Sequence, residues 1–109
     1  MLENSDRREV RLRAAVAQIL GTPAQRRRWR RSLGYSLRDV ARITGMSHES
    51  VRLRESSKWR ASRGSLLSQS GLAYLDLIAS AQGIDWRAQL EHVDRTTAEG
   101  GSRAGPVAA

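Results

Sequence analysis

Ser47, His48, Glu49, Ser50 and Arg52 place five hydrogen-bonding side chains within six consecutive positions. Their chemistry is that of recognition, not of bond-making. The guanidinium of Arg52 is a rigid fork of donors that suits a guanine edge or a phosphate. Glu49 can only accept, and the amino group of a cytosine would be its partner; His48 can donate to a purine. Ser47, with the free N–H groups of a helix start, can hold a phosphate. Ser36, Arg38, Arg42, Lys58 and Arg60 flank this group and complete the candidate contacts. Each has a plainer reading: His48 merely exposed, Glu49 complementing a helix dipole, the arginines solvated.

The chain offers nothing for covalent chemistry. It has no cysteine and only two histidines, 48 and 92. Neither a disulfide nor a thiolate metal site can form, and no cofactor is expected. There is no glycine-rich phosphate loop and no Ser/His/Asp set at workable spacing, so an enzyme is not expected.

What must position these residues is the stretch YSLRDVARITGMSHESVRLRE, residues 35–55. It reads as two short helices joined by a tight turn. Ser36 is placed as an N-cap, with Asp39 three residues on as a variant capping box. Val40, Ala41 and Thr44 share one face of the helix that follows. Gly45 can take positive φ and end it, and Met46 can plug the angle between the helices. Ser47 caps a second helix, Ser47 to Glu55, which turns Val51 inward and His48, Glu49, Ser50 and Arg52 outward. Small Ala41 lets the two backbones approach. An ordinary helical hairpin packed on something else would show the same signals.

Charge supports a polyanionic partner. Of a net charge of +8, residues 1–60 hold 15 Lys/Arg against 6 Asp/Glu, and residues 61–109 hold 4 against 5. The positive field thus coincides with the two-helix stretch. With 109 residues the chain can bury one modest core. No apolar run approaches membrane-spanning length, so no membrane association and a cytoplasmic location are expected.

Around the central pair, a helix is expected from about Asp6 to Leu20, with Leu12, Val16, Ile19 and Leu20 as its apolar stripe and Val10 at the edge. That stripe would pack on the domain's flank or serve as a dimerisation arm. Thr22-Pro23 starts a helix to about Leu33 that is crowded by five arginines. Its core residues are Ala24, Trp29 and Leu33, and Arg26, Arg27, Arg28 and Arg31 are candidate phosphate contacts or a solvated face. Residues 56–70 read as a long loop in which Trp59 can tuck back onto the core. Ser68 or Ser70 caps a helix over Gly71–Gln82, ended by Gly83. Asp85 caps a last helix with Trp86, Leu90 and Val93 inward. From Thr96 the chain lacks periodic apolar residues and is expected to be disordered. The resulting division is 1–21 as a helical extension, 22–95 as the main domain, and 96–109 as a tail.

The residues Val40, Ala41, Gly45, Met46 and Val51, at their mutual spacing, resemble the helix-turn-helix of bacterial DNA-binding proteins. The order of elements, ending in LAYLDLIASAQGIDWRAQL, resembles the Xre/phage-repressor (Cro-type) domain over roughly Thr22 to Val93. Leu75, Ile78, Ala79, Ala81, Gly83, Ile84 and Leu90 carry that part of the match. The resemblance implies an all-α, compact bundle of about five helices, like the lambda repressor domain, here with one extra N-terminal helix. It also implies a structural ion pair between Arg30 and Glu55. Three departures stand out. Leu37 occupies a position where the family commonly has a backbone-contacting Gln, Arg54 replaces an aliphatic residue before the closing Glu, and the loop is long. Arg54 would be solvated or paired with Glu55 or Asp39. The segment SVRLRE also resembles MerR-type winged helices and, faintly, the sigma-factor region that reads promoter −35 elements.

The expected function is a sequence-specific regulator of transcription, a repressor, binding double-stranded DNA as a homodimer through its first helix or its last two. The recognition helix would be residues 47–55. Arg38, Arg42, Lys58, Arg60 and the 26–31 cluster would add salt-dependent affinity without sequence information. The competing expectation is an antitoxin or adaptor whose main task is to bind a protein, such as a toxin or RNA polymerase.

Overall fold

The computed structural model describes residues 4–60 and 68–100, and side chains over 7–60 and 68–96. Within these the protein is all-α: α1 (Asn4–Leu20), α2 (Pro23–Ser32), α3 (Leu37–Thr44), α4 (His48–Arg54), α5 (Gln69–Gln82) and α6 (Trp86–Gly100). No strand occurs among the described residues. None of their helices is long and apolar enough to cross a membrane.

Local chemistry sets the helix boundaries. Thr22 caps α2 by accepting from the Gln25 amide at 3.1 Å, and the Gln25 side chain accepts from the Thr22 amide at 2.8 Å. Ser36 and Asp39 make the same reciprocal pair at the start of α3, 3.1 and 2.9 Å. Each such cap is worth about 1 kcal/mol. Gly45 ends α3 in the left-handed conformation, φ 79°, with its amide on the Ala41 carbonyl. A Cβ there would be strained. Ser68 caps α5 and Asp85 caps α6, accepting from the Gly71 and Ala88 amides.

One core gathers all six helices. Val16, Ile19 and Leu20 of α1 are buried with Val40, Val51, Tyr74, Leu75, Leu77, Ile78, Ala79 and Trp86. Trp29, Leu33, Ala41, Met46 and Trp59 pack on its edge. Helix α1 lies along α6 and against α5, and Arg8 pairs with Asp94 at 2.6 Å across the first of these contacts. The apolar stripe of α1 is therefore covered by its own chain. Val10, 58% exposed, stays outside.

Two expectations change. The last helix does not stop near Thr96 but continues through Gly100; its first turn is fastened by Asp85 and Trp86, and nothing in TTAEG breaks a helix already running. The helix after the loop begins at Gln69, two residues before the expected Gly71, with Ser68, one of the two expected caps, at its start. The expected disorder of 101–109 lies outside the described residues, as does the part of the expected loop at 61–67.

Candidate nucleic-acid interface

Helix α4 is short, and its two faces differ sharply. Val51, Arg54 and Glu55 are buried. At 100° per residue, the opposite arc runs His48, Arg52, Glu49, Leu53, and all four are exposed. Hydrogen bonds brace the turn before it. Thr44 is buried, donates to the Val40 carbonyl at 2.7 Å and accepts from the Met46 amide at 3.3 Å. Ser47 accepts from the Ser50 amide at 3.0 Å, and the two hydroxyls bond to each other at the same distance. Ser47 and Ser50 thus set the entry of α4, and one hydroxyl proton is already committed between them.

Glu49 and Arg52 form an ion pair on the exposed arc; Arg52 Nε donates to Glu49 Oε1 at 3.1 Å, and a second contact joins Nη2 to Oε2. Their side chains remain 69% and 57% exposed. The guanidinium holds the Glu49 carboxyl below its usual range, chiefly through the hydrogen bond. Arg38 and Arg42 lie one turn apart on the outer face of α3. Arg42 pairs with Asp39 at 3.2 Å. Asp39 is also held below its usual range, first by the Ser36 amide and hydroxyl.

Past the end of α4 the chain makes a tight turn, with Ser56 on the Leu53 carbonyl and Trp59 on the Ser56 carbonyl, 2.9 and 3.2 Å. Lys58 is exposed there. Arg60 folds onto its own turn, donating to the Ser57 and Trp59 carbonyls at 2.8 and 3.2 Å. It borders a recess of about 200 Å³ with Ala17, Leu20, Gly21, Arg26 and Trp59. Of the ten candidates, Ser47, His48, Glu49, Ser50 and Arg52 thus share α4 and its cap. Ser36, Arg38 and Arg42 belong to α3. Lys58 and Arg60 follow the trailing end of α4, with Arg60 beside the end of α1.

Beneath α4 lies a cationic cluster only half legible in the sequence. Arg30 and Glu55 meet through Nε–Oε2 at 2.5 Å and Nη2–Oε1 at 3.0 Å, both buried. Arg27 approaches the same carboxylate at 3.5 Å. Arg26, an expected phosphate contact, is instead 4% exposed. Its Nε donates to the Arg54 carbonyl at 2.7 Å and its Nη1 to the Gly21 carbonyl. It therefore satisfies the open carbonyls at the ends of α4 and α1. Arg54 is not solvated either: it is buried, with its guanidinium 5.1 Å from the Trp59 ring centre and 5.5 Å from that of Tyr74. Arg26 lies over Trp59 at 5.1 Å. Burial lowers the pKa of both arginines from the ordinary value, and their mutual repulsion adds to this at Arg54. Burial also pushes the Tyr74 phenol up to about 12.

The α2 cluster thus divides. Arg26 and Arg30 brace the inside of the fold, and Arg28 and Arg31 face solvent. Among the described residues no group of His, Asp or Glu side chains is placed to hold a metal ion. The chain matches no known family model, and neither a characterised protein nor a solved structure shows significant similarity to it.

Proposed function

We propose that this protein is a sequence-specific DNA-binding regulator of transcription, acting as a homodimeric repressor that lays α4 in the major groove. The observation that carries the reading is the exposed arc His48–Arg52–Glu49 on a helix whose other face is locked into the core. A helix held this way can carry its outer side chains into a groove without rearranging the fold. The excess of positive charge in residues 1–60 supports the same reading.

In this account Arg52 leaves Glu49 and forks onto a guanine, while the freed carboxylate accepts from a cytosine amino group. His48 donates to a purine. Arg38, Arg42 and Lys58 contact phosphates and supply affinity without sequence preference. Arg28 and Arg31 are the members of the α2 cluster free to join them. Two copies on an inverted repeat would set α4 about one helical turn, 34–36 Å, from its mate.

The test is selection of bound sequences from random duplexes. An enriched inverted repeat with that spacing is expected, and fusion of the repeat to a promoter should lower reporter expression. Recovery of no preferred sequence would remove the reading. Elution of a second polypeptide with the protein, under salt that strips DNA, would favour the adaptor function instead.

A further inference from the structure

The fourth member of the exposed arc on α4 is a leucine. Leu53 is 40% exposed, one of four large apolar side chains left outside among the described residues, with Val10, Tyr35 and Ile43. It lies one turn beyond Glu49 and next in sequence to Arg52, on the same outer side of the helix. Burial alone would favour the opposite arrangement at this point in the chain. Leucine is the more apolar of the two, yet it is Arg54 that turns inward, to be desolvated against Trp59 and Tyr74. The register that buries Val51 and Glu55 fixes this outcome, so Leu53 is held outward by the same packing that holds Arg52 outward.

We infer that Leu53 is a specificity-determining residue that packs on the C5 methyl group of a thymine in the major groove, beside the base read by Arg52. The inference rests on the DNA-binding reading above. The thymine methyl is the apolar group that an unmodified major-groove edge displays, and aliphatic side chains read it by contact. The surroundings favour this occupant over a protein. Leu53 is flanked on the arc by Glu49, it follows Arg52 in sequence, and Lys58 beyond it is exposed. Among the described residues of this arc Leu53 is the one apolar side chain; a single leucine falls short of the apolar patch a protein partner buries, but it is enough for a single methyl group. Arg52 and Leu53 together would then read a guanine and a nearby thymine.

The experiment replaces each thymine of the selected duplex, in turn, by deoxyuridine. This removes the methyl group and leaves pairing and O4 intact. With the wild-type chain, one position per half-site should weaken binding about fourfold, the effect of losing contact with one methyl-sized group. Leu53→Ala should bind the thymine duplex about fourfold more weakly and become indifferent to uracil at that position, with an unchanged melting temperature. It should keep the wild-type response to changes at the guanine. A wild-type chain indifferent to every uracil, or a Leu53→Ala chain still sensitive at the same position, would overturn the inference while leaving specific DNA binding intact. Absence of any preferred duplex would instead remove the reading on which it rests.

Discussion

Arg26 donates from Nε to the main-chain carbonyl of Arg54 at 2.7 Å, joining the second helix to the end of the fourth. Its second donor reaches the Gly21 carbonyl. One side chain therefore closes two helix ends, and a basic residue in the most basic stretch of the chain is structural. Truncation should reveal this. Arg26→Ala should lose about 2–4 kcal/mol of stability, two charge-assisted hydrogen bonds to buried carbonyls. The urea midpoint should fall accordingly. Arg28→Ala and Arg31→Ala should stay within about 0.5 kcal/mol of wild type, as surface changes do. Equal midpoints for all three variants would contradict the assignment.

The Arg30–Glu55 pair should behave as a buried pair does. Removing one partner leaves the other charge desolvated and costs about 3–5 kcal/mol. Glu55→Ala is therefore expected to unfold well below wild type in thermal melts. Arg27, 3.5 Å from the same carboxylate but half exposed, should cost less than 1 kcal/mol when changed to Ala.

Tyr74 gives a pH prediction. Its hydroxyl is buried and has no hydrogen-bond partner among the described residues, and its pKa is pushed up to about 12 by burial. The fold thus holds the neutral phenol. The associated stability is fully present below the ordinary tyrosine pKa of about 10 and is lost as pH rises through about 12. Tyr74→Phe should abolish that alkaline loss. At neutral pH it should leave stability unchanged or raise it by about 1 kcal/mol, because it removes an unsatisfied buried group and keeps the ring under Arg54. Urea midpoints of both proteins at pH 8, 10 and 11.5 check this; parallel declines would contradict it.

The Glu49–Arg52 pair predicts a trade between affinity and selectivity. Glu49→Gln frees the guanidinium without removing it. Binding to random duplex should tighten, and the salt slope should steepen by about one unit. Discrimination between selected and random duplexes should shrink. An unaltered slope would mean that the guanidinium released in this variant makes no phosphate contact on random duplex.

Much of this architecture was legible in the sequence because caps and glycines are local signals. Thr22, Ser36, Gly45, Ser47 and Asp85 each determine a boundary through atoms within four residues. The stripe Leu12–Val16–Ile19–Leu20 announced a buried face, though not that α5 and α6 would cover it. The arginines were harder to read. Arg26 and Arg28 are two residues apart in one run, and periodicity does not say which turns inward when both are charged. What separates them is tertiary: the open carbonyls of Gly21 and Arg54, and the rings of Trp59 and Tyr74, are brought together only by the fold. The outward leucine was obscured for the same reason. With Arg54 in the core, Leu53 is displaced to the face where a sequence pattern expects polar residues. The pairing of Arg30 with Glu55 was expected only through the family resemblance, since their separation in the chain carries no signal.

Whether the outer arc of α4 reads bases, as proposed, is decided by the affinity of wild type and Arg52→Ala for the selected duplex and for a scrambled one at the same salt. A loss of about 1–3 kcal/mol is expected on the selected duplex alone. Equal losses on both duplexes, or none on either, would contradict it.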